Sequence, residues 1–75
     1  MLHVAVTLKG PLAERAPGGR VDVPLAAGAA VEDLIAALGL PRSSYIFVVN
    51  GGTTRRGALL SDGDRVQIHA PMAGG

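Results

Sequence analysis

Apolar residues occupy alternate positions at both ends of this chain, and this period limits what the chain can fold into. Near the start, the alternating apolar positions are Leu2, Val4, Val6 and Leu8. Near the end, the same alternation runs through residues 65–70 at Val66, Ile68 and Ala70. Successive side chains of a strand point to opposite faces, so both runs predict strands with one buried face.

Between these strands the apolar period changes to that of a helix. Apolar residues fall at positions i, i+3, i+4 and i+7, namely Val31, Leu34, Ile35 and Leu38. This spacing predicts one amphipathic helix. Glu32 and Asp33 are expected in its first turn, where the helix dipole favours negative charge, and Gly39 predicts its end. Ala29 and Ala30 stand where a capping Ser, Thr or Asp is usual, so we expect a weakly capped, frayed start.

A second short strand is predicted on the N-terminal side of the helix. Residues 13–20 are rich in turn-forming Pro and Gly and predict a loop or broad turn. Arg20 to Leu25 then predicts a strand that pairs with the first as an antiparallel hairpin. We expect Leu12 to point into the core.

Further short strands are predicted after the helix. Tyr45 to Val49 favours a strand that ends at a tight turn of Asn50, Gly51 and Gly52. Residues 53–60 are less regular; we expect a short strand there and either Leu59 or Leu60 in the core. Residues 61–64 predict another turn. This order indicates an α+β fold, a mixed four- to five-stranded sheet packed on one helix, in which the crossover makes the outer strands run parallel.

Composition narrows the functional classes. The 75 residues fit one domain of marginal size, which buries only about 60% of the surface of the unfolded chain. The chain has no cysteine, hence no disulfide, thiolate metal site or cysteine nucleophile. A net charge of +1 with one Tyr and one Phe argues against nucleic-acid binding. Neither a signal peptide nor a membrane span is indicated, so we expect a soluble, cytoplasmic protein.

The last two residues, Gly74 and Gly75, suggest a reactive end. Glycine lacks Cβ, so a Gly-Gly end can thread a channel too narrow for a side chain. A partner enzyme that holds ATP can convert the Gly75 carboxylate into an acyl-adenylate, which sulfur or an amine then attacks. An ordinary chain end or an expression remnant would leave the same residues.

The chain resembles the ubiquitin-like, β-grasp sulfur carriers, which include the small subunit of molybdopterin synthase and the thiamine-pathway carrier. The segments that carry the resemblance are residues 6–12 (VTLKGPL), 28–38, 48–51 (VVNG), 62–66 (DGDRV) and the tail 70–75. In the second segment, Ala30 replaces the usual Thr or Ser. The resemblance implies a β-grasp domain over residues 1–70 and a flexible tail over residues 71–75.

This resemblance also implies a function in which the protein is a substrate. An E1-like enzyme would adenylate Gly75, sulfur would replace one oxygen to give a thiocarboxylate, and the tail would deliver sulfur inside a second enzyme. Gly74, Ala73 and Met72 would thread the channel. The accepting enzyme would be one such as the large subunit of molybdopterin synthase, a branch favoured by the Gly10-Pro11-Leu12 motif and the tail proline. The chain itself would need no cofactor, since the partner uses the ATP, and would carry no catalytic residues.

Docking of partners is expected on the face of the sheet that lies away from the helix. With Phe47 and Val49 as the buried pair, strand alternation would place four residues on that face: Val48, Arg65, Gln67 and His69. The reverse register and a purely structural role for Val48 both remain open, since isolated exposed apolar residues are common.

Two other functions remain open. A ubiquitin-like modifier would pass its activated Gly75 carboxyl to a target lysine, and a plain β-grasp interaction module would not use its Gly-Gly end. Carriers for thiamine, cysteine or tRNA thiolation have the same chemistry. His3 and His69 have no cysteine and no suitably spaced carboxylate with them to form a metal site. Asp62 and Asp64 fit an acidic turn better than a catalytic pair.

Overall fold

The computed structural model describes residues 1–41 and 43–70 and shows five strands, one short α-helix and two 3₁₀ segments. The elements in chain order are β1 (Leu2–Lys9), the 3₁₀ segments Gly10–Arg15 and Pro17–Gly19, β2 (Arg20–Leu25), α1 (Asp33–Ala37), β3 (Ile46–Val49), β4 (Gly52–Thr54) and β5 (Arg65–His69). The predicted strands at both ends, the hairpin strand and the helix are therefore confirmed. The predicted tail, residues 71–75, lies outside the described residues.

The strands form a single mixed sheet in the order β2-β1-β5-β3-β4. β1 and β5 run parallel, whereas the other neighbouring pairs are antiparallel. The parallel pair consists of the first and last of the five strands, and it occupies the centre of the sheet rather than its edges. β1 pairs with β2 on its other side, and β5 pairs with β3 on its other side, so the parallel pair is flanked by antiparallel neighbours on both sides.

The hydrophobic core lies between one face of the sheet and α1. Of the alternating residues predicted to be buried, Val4, Val6, Leu8, Val66 and Ile68 are buried, whereas Leu2 and Ala70, at the outer ends of the two runs, are half-buried. On the helix side, Val31 and Leu34 are completely buried, whereas Ile35 and Leu38 are half-buried. The apolar period of the helix was therefore interpreted correctly.

α1 is shorter than the apolar period suggests, and the chain at its start makes more hydrogen bonds than the sequence predicted. The carboxylate of Asp33 accepts the backbone N–H of Ala30 through Oδ2 at 2.8 Å. The N–H groups of Val31 and Glu32 donate to the carbonyls of Ala58 and Arg56, both at 2.9 Å. Within the first turn, the N–H groups of Asp33 and Leu34 donate to the carbonyls of Ala30 and Val31, both at 3.0 Å, so these donors of the helix start also have partners. Bonds to the segment before β5 thus hold the residues that lead into the helix, and Glu32 lies just before the helix rather than in its first turn.

The segment predicted as a loop or broad turn over residues 13–20 is made largely of short 3₁₀ turns. A proline in the first turn of Gly10–Arg15 suits a helix start, since it has no N–H to leave unsatisfied. Leu12 is buried, as predicted, and anchors this segment to the core. Gly18 and Gly19 have φ of +67° and +72°, which turns the chain into β2.

The two turns of the C-terminal half use residues with positive φ, as predicted. Asn50 and Gly51 have φ of +50° and +86° and connect β3 to β4, and Gly63 has φ of +85° before β5. Between the turns, Leu60 is buried at 6% exposure whereas Leu59 is 72% exposed. The structure therefore selects Leu60 as the leucine that returns to the core.

Candidate functional site

The residues predicted to react and to thread a channel, Gly75, Gly74, Ala73 and Met72, lie outside the described residues. Their structure is therefore not part of the site as described, and their roles remain predictions. The chain reaches them from β5, through His69 and Ala70. The described part of the site is the sheet surface around this strand.

The four residues predicted for docking share one face of the sheet. In the antiparallel ladder of β3 and β5, Val48 lies opposite Gln67 and Ile46 lies opposite His69. Arg65 precedes Gln67 by two positions and points to the same side. We call the face opposite α1 the open face. Phe47 is buried on the other side, and Val49 packs against the core, so the predicted register is confirmed.

The central strand β1 adds a row of side chains to the open face. Ala5, Thr7 and Lys9 are the register partners of Arg65, Gln67 and His69. Beyond β1, Arg20 lies opposite Thr7, and Asp22 lies opposite Ala5.

The charges of the open face are mostly positive. On the described strands it carries Lys9, Arg20 and Arg65 against the single carboxylate of Asp22. Ile46, half-exposed at 50%, and Val48 form an apolar margin beside these cations on the β3 side. A shallow open depression of about 430 Å³ lies on this face towards the turn at Asn50, lined in part by Thr7, Val48, Arg65 and Gln67. An apolar spot with a polar rim is the usual composition of a protein-docking surface.

Hydrogen bonds between two turns hold one end of this face. The side chain of Asn50 donates from Nδ2 to Oδ1 of Asp64 at 3.0 Å and accepts the N–H of Arg65 at Oδ1, 2.9 Å away. The N–H of Asn50 donates in turn to the carbonyl of Arg65 at 2.8 Å. The Asn50–Asp64 bond was not predicted from the sequence, because each residue was assigned only to its own turn. The nearest signal in the sequence was the pair of turn motifs at residues 50–51 and 62–64.

The other end of the open face lies where β5 leaves the sheet. Nε2 of His69 is 3.2 Å from Oε1 of Gln67, which links two neighbouring side chains of the same strand face. Lys9, exposed at the end of β1, is the register partner of His69. The predicted docking residues thus form a strip that runs along β5 towards Ala70.

The remaining candidates have structural roles. Asp62 accepts the N–H of His3 at 2.8 Å, and Asp64 accepts the N–H of Ser61 at 2.8 Å, so the acidic turn is confirmed. Across residues 1–41 and 43–70 the structure has no group of three or more potential metal-ligating side chains. In the same residues no helix combines the length and the apolar character needed to cross a membrane.

Comparison with known proteins is consistent with this architecture. The sequence profile of the ThiS family matches residues 6–75. No curated protein matches the chain. A crystal structure of small archaeal modifier protein 1 from Haloferax volcanii is similar with a TM-score of 0.80 and 23% identity, over 96% of this chain and all of that one.

Two other solved structures show the same fold. A putative molybdopterin converting factor, subunit 1, from Pyrococcus furiosus is similar with a TM-score of 0.76 and 21% identity, over 96% of this chain and 100% of that one. The solution structure of small archaeal modifier protein 1 from Methanosarcina acetivorans has a TM-score of 0.75 and 23% identity, over 100% and 98% of the two chains. The predicted β-grasp fold is therefore confirmed.

Proposed function

Because this chain belongs to the ThiS family, we propose that it is a sulfur carrier that is activated at Gly75. The observation that carries the proposal is that the family match extends through the last residue, Gly75, and so includes the Gly-Gly end. A conserved fold alone would support only a scaffold, since function resides in sites rather than in folds. Here the match covers both the sheet and the segment that has to react.

The chemistry requires two partner enzymes. An E1-like enzyme transfers AMP from ATP to the Gly75 carboxylate, with loss of pyrophosphate, and sulfur at the sulfide level from a donor then displaces AMP to leave a thiocarboxylate. In an acceptor enzyme the sulfur is transferred to a substrate, and water supplies the oxygen that regenerates the carboxylate. The chain supplies the carboxyl group and a docking surface and acts as a co-substrate rather than as an enzyme. Gly74, Ala73 and Met72 enter the channel of the partner, where the small size of Gly74 and Ala73 next to the reacting end limits steric conflict.

The open face is the docking surface in this proposal. Val48 supplies an apolar contact, and Arg65, Gln67 and His69 form the polar strip beside it. This strip follows β5 to Ala70, so a partner bound to it is in position to receive the tail. A cytoplasmic location fits the need for ATP.

We place the chain in the molybdopterin branch, as the small subunit that supplies sulfur to a large synthase subunit. The support is the Gly10-Pro11-Leu12 motif, in which buried Leu12 anchors the turn, together with the similarity to a structure described as a putative molybdopterin converting factor subunit. A second candidate is protein modification, in which a target lysine attacks the activated Gly75. The similarity to two small archaeal modifier proteins favours it.

Intact mass distinguishes these functions. The protein is purified from its own cells under conditions that preserve thiocarboxylates, beside a chain that lacks Gly75. The carrier predicts a species heavier by the difference between one sulfur and one oxygen atom, located at Gly75 and absent from the truncated chain. Covalent adducts on the lysines of other proteins, without that species, would favour the modifier. A truncated chain that is still adenylated and thiolated would contradict both.

A further inference from the structure

The chain contains one lysine, Lys9, against six arginines. A guanidinium stays protonated at any physiological pH and is no nucleophile, whereas the lysine amine can be acylated. If the carboxyl end of the chain is activated, the position of the only side-chain amine therefore decides whether the chain can acylate its own lysine. There is also no cysteine to compete for an acyl group.

Lys9 lies beside the point where β5 leaves the sheet. It is the register partner of His69 in the parallel ladder of β1 and β5, and Cα atoms of neighbouring strands lie about 4.8 Å apart. Lys9 and His69 share the open face, and Lys9 is exposed. Both strands run in the same direction, so the lysine lies at the end of the sheet from which the chain continues to Gly75.

The covalent length of the chain permits contact. Six residues, from Ala70 to Gly75, follow His69, and a chain of that length spans at most about 20 Å. The four-carbon stem of the lysine extends this reach. The α-amine of Met1 is at the other end of β1, about 26 Å from Lys9 along eight strand residues. The geometry therefore favours the lysine over the N-terminus.

We propose that Lys9 is an intramolecular acceptor for the activated acyl group of Gly75. This rests on the proposed function, because that function supplies the acyl-adenylate. The neutral amine of Lys9 attacks the carbonyl carbon of Gly75, a C–N bond forms, and the C–O bond to AMP breaks. AMP leaves with the electron pair, and the nitrogen loses a proton to solvent. The product is a closed chain with an isopeptide bond between Lys9 and Gly75, which no longer has a carboxyl end to carry sulfur.

Closure competes with sulfur transfer whenever the activated tail is outside a partner. Joining two groups by a short linker raises their effective concentration to the order of millimolar. A bound partner that covers the open face and holds the tail keeps the two groups apart. If a copy of the chain is released as the adenylate before sulfur is added, Lys9 closes it. That copy can then no longer carry sulfur.

The test uses a thioester at Gly75, prepared by intein cleavage, so that no activating enzyme is needed. During incubation at mildly alkaline pH, the thioester of the natural chain is expected to give a monomer lighter than the free acid by one water. Trypsin should then release the peptide 66–75 joined through Lys9 to the peptide 1–15. Lys9→Arg should give only the hydrolysed acid.

A relocated lysine provides the matched control. In Lys9→Arg with Arg65→Lys, the sheet keeps one lysine, the same charge and the same face, but the amine lies four residues, about 13 Å, further back along β5. Closure should fall by about an order of magnitude. Equal closure in this variant, closure in Lys9→Arg alone, or products linked between two copies would overturn the proposal. Failure of Gly75 to be adenylated by any partner would count against the proposed function and leave this result unaffected.

Discussion

The side-chain amide of Asn50 donates a hydrogen bond to the carboxylate of Asp64, 3.0 Å away, and thereby joins two turns that are 14 residues apart in sequence. The same Asn50 accepts the N–H of Arg65. Asp64 also accepts the N–H of Ser61, so each of the two side chains bonds its partner and the backbone beside it. These bonds fix where β5 begins, and with it the position of Arg65 on the open face.

Asn50→Ala should destabilise the protein more than Asn50→Gly. Both variants lose the side-chain bonds to Asp64 and Arg65, each worth about 1 kcal/mol. Alanine must in addition adopt the positive φ of residue 50, +50°, at a cost of about 1–2 kcal/mol. We expect losses in the free energy of unfolding of about 3 kcal/mol for alanine and about 2 kcal/mol for glycine, measured by urea denaturation. Equal losses would mean that the backbone conformation of Asn50 costs little.

Adjacent leucines offer a comparison of buried and exposed side chains. Leu60→Ala should lower the free energy of unfolding by about 2–4 kcal/mol, because it removes a buried side chain and leaves a cavity. Leu59→Ala should change it by less than about 0.5 kcal/mol, because the side chain is 72% exposed. Both values come from urea titrations of the two variants. A large loss for Leu59→Ala would show that this leucine packs against another molecule or segment in solution.

The strands were predictable because their signals are local. The alternation in residues 2–9 and 20–25 is strong enough to define both strands, and it also determines which side chains face the core. The same rule placed Val48 on the open face. What it could not supply was the pairing between strands, so the approach of Lys9 to His69 and the position of Arg20 on the same face became visible only in the structure.

Features that depend on distant segments were missed. The start of α1 looks frayed when only Ala29 and Ala30 are considered, yet the N–H groups of Val31 and Glu32, just before the helix, bond to carbonyls of Ala58 and Arg56, more than 20 residues later. Such contacts have no periodic signature in the sequence.

Two neighbouring glycines should differ in their tolerance of alanine. Gly18 and Gly19 both have positive φ, so either substitution costs about 1–2 kcal/mol of backbone strain. A Cβ at Gly18 would meet no atom within 4 Å, whereas a Cβ at Gly19 would lie 3.2 Å from the carbonyl oxygen of Leu8 and 3.4 Å from Cβ of Ala13. We therefore expect Gly19→Ala to lose at least about 1 kcal/mol more than Gly18→Ala. Thermal unfolding of both variants, followed by circular dichroism, measures this difference, and similar midpoints would contradict it.

Val48→Glu should weaken binding of the proposed adenylating partner without unfolding the protein. Val48 is half-buried on the open face, beside Gln67, and its replacement puts a charge in the apolar part of the proposed interface. Placing an unpaired charge at an apolar contact of an interface costs more than about 1 kcal/mol, so Kd should rise by about fivefold or more. Isothermal titration calorimetry with the activating enzyme measures the change, and circular dichroism checks the fold.

Leu59→Glu is the matched control for the docking face. It also replaces an apolar residue by a carboxylate and changes the net charge equally, but Leu59 lies outside the five strands, in a bridge with Ala30. Its Kd should stay within about twofold of the natural value, because an exposed residue outside an interface contributes little to binding. Equal weakening by both variants would attribute the effect to net charge. Weakening by Leu59→Glu alone would move the interface from the open face to the segment between β4 and β5 that contains Leu59.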